Sequence, residues 1–181
     1  MKNYNINYKL TEKTAELQQI LELQAKNLLK QLSEDDKIKQ GFVTVQHNLE
    51  ILQNMHLVHP HIIAVSGNTL VGYALSMSKK FKQSIPALAP MFAKIDQSEK
   101  ANENYLIMGQ VCIAKEFREQ GIFRKLYAKM KEVFSKMYSC IITEINVLNT
   151  RSLKAHSAIG FKELMCYQSN NQTWLIVFLE L

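Results

Sequence analysis

The alternation of strand-like and helical segments in the second half of the chain restricts its fold more than any other feature. Two strand–helix units precede a hairpin, and the predicted elements are a strand over residues 105–114, a helix over 121–138, a strand over 141–148, a helix over 150–159 and strands over 161–169 and 173–181. Strands linked through a helix pair in parallel, whereas the strands of a hairpin pair antiparallel. The chain is therefore expected to form a mixed sheet with helices on its faces.

The first half adds three strands, two helices and an irregular segment. Residues 3–9 alternate apolar and polar side chains, a helix is predicted from an N-cap at Thr11 to about Leu32, and a loop over 33–40 leads to a second helix over 45–55. Strands over 61–66 and 70–77 form a hairpin around Gly67-Asn68. Residues 79–104 predict an insert of loops and one short helix. These elements add up to a single α/β domain over residues 1–181 with about seven strands.

Composition narrows the class of protein and its partners. Hydrophobic residues make up 47% of the 181 residues and charged residues 21%, as in a compact globular domain. The formal net charge of +6 favours an anionic partner, which leaves nucleic acid, an acidic membrane surface or a phosphorylated small molecule. Cys112, Cys140 and Cys166 form no CxxC or Cys/His cluster, so we expect neither a zinc site nor a disulfide framework. Without an apolar leader or a membrane-length apolar run, the protein is expected to be cytoplasmic.

The junction between the fourth predicted strand and the helix that follows it has the features of an anion site. A basic loop with one glycine, Gly121, leads directly into the helix, and Arg118, Arg124 and Lys125 add positive charge. A helix N-terminus has free backbone N–H groups, and glycine lets a ligand approach the backbone. The loop has neither the Walker A nor the GxGxxG pattern, which excludes those nucleotide sites. An ordinary strand–helix turn is the alternative reading.

A second polar segment begins at Asn149. Helical spacing places Asn149, Ser152 and His156 on one side of the short helix over residues 150–159. Asn149 could equally be a simple N-cap, and His156 a partly buried helix residue. The segment alone leaves both alternatives open.

Together the two segments resemble the GNAT superfamily of N-acetyltransferases. Arg118-Glu119-Gln120-Gly121 matches the acetyl-CoA loop of that family, Arg/Gln-x-x-Gly-x-Gly/Ala, and Phe123 departs from it where a small residue is usual. Asn149, followed by a short helix that ends in Gly160-Phe161, matches the downstream signature. The order of strands and helices also resembles the GNAT fold, a mixed and mostly antiparallel sheet, over nearly the whole chain outside the insert.

The resemblance implies that two central strands splay apart and hold acetyl-CoA, as a co-substrate, between them. The pantetheine arm is then expected along Val111, Cys112 and Ile113, with Asn149 close to it. The pyrophosphate is expected over the loop and the first helical turn, which comprise Arg118, Glu119, Gln120, Gly121, Ile122, Phe123 and Arg124. No metal is expected.

The resemblance also implies direct transfer of an acetyl group to a primary amine of a small molecule or peptide. Many family members have a tyrosine acid where this chain has His156, and histidine can donate a proton near neutral pH. His156 is therefore the candidate acid, with an ordering role as the alternative. Glu144 is a weaker candidate base, since it could also be a solvated sheet carboxylate. A backbone N–H near Ile113 is the candidate oxyanion donor, and a covalent route through Cys112 is a less favoured alternative.

The acceptor side is expected to come from the N-terminal helices, the insert and the last hairpin. Aromatic or flexible apolar residues available to line a pocket are Phe42, Tyr73, Phe81, Met91, Phe92 and Tyr167. The competing hypotheses are a non-catalytic acyl-CoA-binding module and a basic nucleic-acid-binding domain, the latter disfavoured because no RNP-like motif or zinc finger is present. We expect no nucleic-acid or membrane partner, and the apolar strand over 173–181 leaves a homodimer open.

Overall fold

Seven strands form one open sheet in the order β1-β2-β3-β4-β5-β7-β6. The computed structural model describes residues 5–31, 33 and 41–181. The strands are β1 Ile6–Leu10, β2 Ile62–Ser66, β3 Thr69–Ser78, β4 Tyr105–Ile113, β5 Cys140–Asn146, β6 Lys162–Ser169 and β7 Gln172–Glu180. Only β4 and β5 pair in parallel, and all the other neighbours are antiparallel. The predicted mixed, mostly antiparallel sheet is therefore confirmed.

Helices cover both faces of the sheet, as predicted. They are α1 Thr14–Ala25, α2 Leu49–Val58, α3 Ala89–Ile95, α4 Ile122–Phe134 and α5 Thr150–Ser157. Successive side chains of a strand point to opposite faces. On β3, Tyr73, Leu75 and Met77 pack with α1, α2 and α3, whereas Val71 and Ala74 pack with α4. The sheet thus separates two hydrophobic cores, and none of the described helices is long and apolar enough to cross a membrane.

The first helix is shorter than predicted at both ends. Thr11 is not its N-cap, because its hydroxyl accepts a hydrogen bond from the His61 amide at 2.9 Å and lies 2.8 Å from Nδ1 of His56. The helix begins after Lys13, and the Glu16 carboxylate accepts from the backbone N–H of Lys13 at 3.0 Å. It ends at Ala25 rather than near Leu32, which lies outside the described residues.

The second helix begins later than predicted. Its start is set by Asn48, whose side-chain oxygen accepts from the Ile51 amide at 2.9 Å, so residues 45–48 precede the helix instead of belonging to it. Most of the predicted loop over residues 33–40 lies outside the described part of the chain, as do the first two residues of the predicted first strand.

The insert between β3 and β4 holds one short helix, as expected. Two 3-10 turns, Lys79–Gln83 and Pro86–Leu88, lead into α3, whose Met91 and Phe92 are buried in the first core. Lys100 anchors the end of the insert, because its ammonium lies 2.9 Å from the Glu180 carboxylate on β7. The insert is therefore fixed against the same half of the sheet as β7.

Strands β4 and β5 separate halfway along the sheet. They pair at Tyr105–Cys140, Leu106–Ile141 and Ile107–Ile142, although β4 continues to Ile113 and β5 to Asn146. The separation begins where β4 carries a bulge, since Ala74 pairs with Val111 but Ser76 pairs with Met108, which leaves one extra residue on β4. The predicted splayed central strands are present, and they open a gap in the middle of the sheet.

Candidate functional site

Two cavities meet at the gap between β4 and β5. The loop-side cavity, of about 210 Å³, is bounded by the β4–α4 loop, the start of α4 and the start of α5. The insert-side cavity, of about 70 Å³, is bounded by β5, β7 and the insert. Val111, Asn149 and Ser152 line both cavities, so the two adjoin at the gap.

The loop-side cavity has a helix N-terminus at its wall. Gly121 precedes α4 with φ +75°, and no described side chain caps the helix. The first-turn N–H groups therefore have no partner within the helix. A Cβ built on Gly121 would have nothing within 4 Å, so the space in front of these amides is open. This is the geometry that binds phosphate groups.

Some of the charged side chains of the loop are held by contacts with other parts of the protein. Arg118 donates through Nε to the Ile113 carbonyl at 3.0 Å and through Nη2 to Asn27 Oδ1 at 2.6 Å, which ties the loop to β4 and to the chain after α1. Glu119, in a left-handed conformation, lies 3.6 Å from Arg151 at the start of α5. Arg124 is exposed on the first turn of α4.

Residues 41–47 cross the gap and form a cover over it. The Phe42 carbonyl accepts from Asn149 Nδ2 at 2.9 Å, and the Val45 carbonyl accepts from Gln110 Nε2 at 2.8 Å. A Cβ on Gly41 would lie 3.0 Å from Asn149 Oδ1, so the close approach requires glycine. The cover is held to β4 on one side of the gap and to the start of α5 on the other.

The Asn149 side chain connects the start of α5 to the cover. Its Oδ1 accepts from the Ser152 amide at 3.2 Å and caps α5, while its Nδ2 holds the cover. The N-cap alternative from the sequence is therefore correct, and it coexists with a place beside both cavities.

His156 lies in an aromatic cluster formed by Phe123, Tyr127, His156 and Phe161. Its Nδ1 lies 2.8 Å from the Ser152 carbonyl and must donate to it, so Nε2 accepts from the Tyr127 hydroxyl at 2.7 Å. The side chain is 1% exposed, and burial lowers the pKa of His156 to about 4. The imidazole is neutral at physiological pH, with both nitrogens hydrogen-bonded inside the protein.

Glu144 lies on β5 in the wall of the insert-side cavity. Burial raises the pKa of the Glu144 carboxyl to about 7, although a hydrogen bond donated by the Tyr167 hydroxyl favours the charged form and opposes this effect. A carboxyl with a pKa near neutrality can take up or release a proton during turnover. Glu144 thus lies beside the gap, and the pKa of its carboxyl is suited to proton transfer.

Gln110, at the β4 bulge, connects three elements through its side chain. Its Oε1 accepts from the Tyr73 hydroxyl at 2.6 Å and from Gln24 Nε2 at 3.0 Å, while its Nε2 donates to Val45 of the cover. These bonds fix the backbone where β4 leaves β5. Sequence reasoning missed this role because the partners come from distant parts of the chain.

A family model supplies the decisive comparison. The model of the acetyltransferase (GNAT) family matches residues 17–161. The chain belongs to the GNAT acetyltransferase family. No curated protein sequence matches it significantly.

Solved GNAT structures resemble the whole chain at low sequence identity. An N-acetyltransferase from Staphylococcus aureus is 16% identical with a TM-score of 0.62, covering 97% of this chain and 98% of its own. YncA from Salmonella typhimurium, solved with acetyl-CoA, is 12% identical with a TM-score of 0.64 over 97% and 94% of the two chains. A chain of the NatC complex, bound to Gag peptide and CoA, is 17% identical with a TM-score of 0.67 over 98% and 99%. At this identity the likeness shows the shared fold.

Most of the residues expected to bind acetyl-CoA line the loop-side cavity. Val111, Cys112, Ile113, Arg118, Glu119, Gly121, Ile122 and Phe123 line it, whereas Gln120 and Arg124 are exposed beside it. The Phe123 ring lies 4.9 Å from the His156 ring and 5.0 Å from that of Tyr127, so it packs into the aromatic cluster. The departure from the GNAT loop pattern leaves the first-turn amides open.

Cys112 is an unsuitable nucleophile. It is 7% exposed, and burial raises the pKa of its thiol to about 12. A nucleophilic cysteine needs a thiolate, which this environment disfavours. The surroundings of Cys112 therefore argue against a covalent route through its thiol.

The aromatic and apolar residues proposed for the acceptor side separate into three groups. Phe42 and Met91 line the insert-side cavity, and Tyr167 contacts Glu144. Tyr73 and Phe92 are fully buried, and Phe81 packs against the first core. Leu88 and Trp174 also line the cavity and were missed. Within the described residues, no group of three or more His, Cys, Asp or Glu side chains could hold a metal ion.

Proposed function

We propose that this GNAT protein transfers an acetyl group from acetyl-CoA to a primary amine in a ternary complex. The observation that carries the proposal is that the open N-terminus of α4 and the Glu144 carboxyl lie at two cavities that adjoin at the β4–β5 gap. An anion site at one end and a base of suitable pKa at the other are what an amine acetyltransferase requires.

The described residues fit acetyl-CoA as co-substrate. When bound, it supplies the acetyl group in activated form as a thioester. The first-turn amides of α4 and the space in front of Gly121 would hold its pyrophosphate, and Arg124 would add positive charge. Val111 and Ile113 line the loop-side cavity and would border the pantetheine arm. Arg118 would act indirectly, by holding the loop in shape.

Glu144 would accept the proton of the incoming amine. An aliphatic amine enters largely as an ammonium ion, which cannot attack a carbonyl until it loses a proton. The Glu144 carboxylate can attract that ammonium and take one proton, directly or through one water molecule. The neutral nitrogen would then form the C–N amide bond as the C–S thioester bond breaks, and its second proton would go to the departing thiolate sulfur. Tyr167 would orient the carboxylate through the hydrogen bond between them.

His156 would order the site rather than donate a proton. To act as an acid it would have to break its bond to the Ser152 carbonyl or become a buried cation, and its lowered pKa opposes the second route. Its bond to Tyr127 joins α5 to α4, which form two walls of the loop-side cavity. We expect His156→Gln to lower the unfolding temperature while leaving the pH profile of turnover unchanged; a lost alkaline limb would restore the acid role.

The experiment that tests the proposal measures two things separately. Binding of acetyl-CoA is followed by calorimetry, and release of free CoA is followed with a panel of alkylamines, polyamines, amino acids and peptides. Amine-dependent CoA release supports the proposal. Saturable binding with no release across the panel would favour the non-catalytic acyl-CoA-binding module. The cytoplasmic location, the single-domain organisation and the homodimer remain predictions from the sequence.

A further inference from the structure

We propose that the acceptor is a small primary monoamine whose nitrogen is attached to an apolar, uncharged chain. This inference deepens the proposed function and rests on it. It comes from the walls of the insert-side cavity, where the acceptor must lie if Glu144 takes its proton.

Ten of the nineteen residues that line this cavity are apolar. The apolar side chains around it include Phe42, Val45, Leu88, Met91, Ile107 and Trp174. Leu88 and Met91 belong to the insert and are 3% and 1% exposed, so they form a packed wall and not a solvated surface. Lys100 and Glu180 fix the end of the insert, which keeps this wall in place. An alkyl or aryl chain that enters the cavity leaves water for an apolar surface.

Charge is nearly absent from the same walls. Among the described residues that line the cavity, Glu144 is the only Asp, Glu, Lys or Arg, and His156 is neutral because its pKa is lowered to about 4. Glu144 would be occupied by the reacting nitrogen. A second ammonium group would lose its hydration without gaining a partner, and a carboxylate would be repelled by Glu144.

The amide side chains at the cavity are already engaged within the protein. Gln110 bonds to Tyr73, Gln24 and the Val45 carbonyl, and Asn149 bonds to Ser152 and the Phe42 carbonyl. Asn146 Oδ1 accepts from the Leu148 amide at 2.9 Å. These amide groups therefore have few sites left for a peptide backbone or a sugar, whereas an apolar chain needs none.

Three amines of matched length test the proposal: hexylamine, 1,5-diaminopentane and 6-aminohexanoate. They share the reacting end and differ only in a methyl, ammonium or carboxylate group at the other end. We expect kcat/KM for hexylamine to exceed that for each of the others by at least about tenfold. Equal or faster turnover of the diamine, the amino acid or trialanine, a peptide acceptor, would overturn the inference while leaving the proposed function intact.

Two variants at one position provide the matched control. Trp174 is half-buried on β7, lines only the insert-side cavity of the two, and pairs with Asn146 and Tyr167 in neighbouring strands. Trp174→Gln should lower kcat/KM for hexylamine about tenfold. Trp174→Glu adds a carboxylate at that wall, so it should raise the ratio of diamine to hexylamine turnover about tenfold over Trp174→Gln.

These measurements distinguish failure of the inference from failure of the proposed function. Both variants should bind acetyl-CoA with wild-type affinity, and their unfolding temperatures report whether they are folded. An unchanged diamine ratio in folded Trp174→Glu would overturn the assignment of this cavity to the acceptor. If the wild type binds acetyl-CoA but acetylates no amine in the wider panel, the proposed function itself fails, and the inference with it.

Discussion

Replacing Tyr167 with phenylalanine should move the pH dependence of turnover to higher pH. Glu144 can accept a proton only as a carboxylate, and its pKa of about 7 reflects burial against the opposing hydrogen bond from Tyr167. The net rise in the pKa of Glu144 from its ordinary value of 4.5 corresponds to a penalty on the charged form of about 3 kcal/mol. Removing the Tyr167 hydroxyl removes the hydrogen bond that favours the charged form of Glu144.

The size of the shift follows from that hydrogen bond. A hydrogen bond to a charged group contributes about 1.5–3 kcal/mol, and one pKa unit corresponds to about 1.4 kcal/mol. Tyr167→Phe should therefore raise the pKa of Glu144 by about one to two units, since the carboxylate loses its donor while the burial remains. The rising limb of activity, centred near pH 7 in the wild type, should move to between about pH 8 and 9.

The assay is kcat/KM for one amine, measured from pH 5.5 to 9.5 at saturating acetyl-CoA. Ionisation of the amine itself is common to all variants, so a difference between their profiles reports on the enzyme. The matched control is Glu144→Gln, which should remove the limb and lower turnover about a hundred- to ten-thousand-fold. A Tyr167→Phe limb at the wild-type pH, or below it, would refute the role of Glu144 as base.

Three further predictions address the loop and the stability of the fold. Gly121→Asp should weaken acetyl-CoA binding at least about tenfold more than Gly121→Asn. Both substitutions share the cost of the left-handed backbone, but only Asp places a negative charge in front of the α4 amides. Equal affinities in calorimetry would contradict the anion site. Glu119→Gln should strengthen acetyl-CoA binding a few-fold at low salt, since it removes a carboxylate from the loop and releases Arg151 from it; unchanged affinity would place the phosphates elsewhere. Acid should destabilise the protein between about pH 6.5 and 4, by up to about 1.4 kcal/mol per pH unit for each buried neutral histidine, because the unfolded chain takes up protons that the folded one refuses. Glu144 has a raised pKa in the folded protein and therefore opposes this effect between its unfolded and folded pKa values. Because the histidines together outweigh this one carboxyl, the urea midpoint should still be lower at pH 5 than at pH 7. A higher midpoint at pH 5 would contradict the prediction. The histidines concerned, with pKa values lowered to about 4, 3 and 4, are His47, His61 and His156.

Local patterns in the sequence predicted the parts of the site that are themselves local. A single glycine between a strand and a helix predicted the open N-terminus of α4, and Asn149 before a short helix included the N-cap among its two alternatives. The predicted helices and strands were wrong mainly in where they begin and end. Thr11 has the chemistry of an N-cap, but tertiary hydrogen bonds to His56 and His61 take its hydroxyl instead.

The chemical state of the site depends on residues far apart in sequence, which local patterns cannot reveal. His156 is held neutral by burial and by Tyr127, and Glu144 is tuned by burial and by Tyr167. Before the strands are placed, Glu144 cannot be told from a solvated sheet carboxylate. Phe123 was ambiguous for the same reason, because only the position of α5 shows that its ring has an aromatic cluster to enter.

The gap between β4 and β5 also divides the sheet in its amide hydrogen exchange. The middle strands of a large sheet usually contain the slowest-exchanging amides of a protein. Here the register of β4 with β5 ends at Ile107 and Ile142, so amides beyond these residues that face the gap have no partner strand. We expect two protected regions, one in β1–β4 and one in β5–β7, separated by a fast-exchanging seam. A ligand that lies along the gap should close that seam and join the two regions into one.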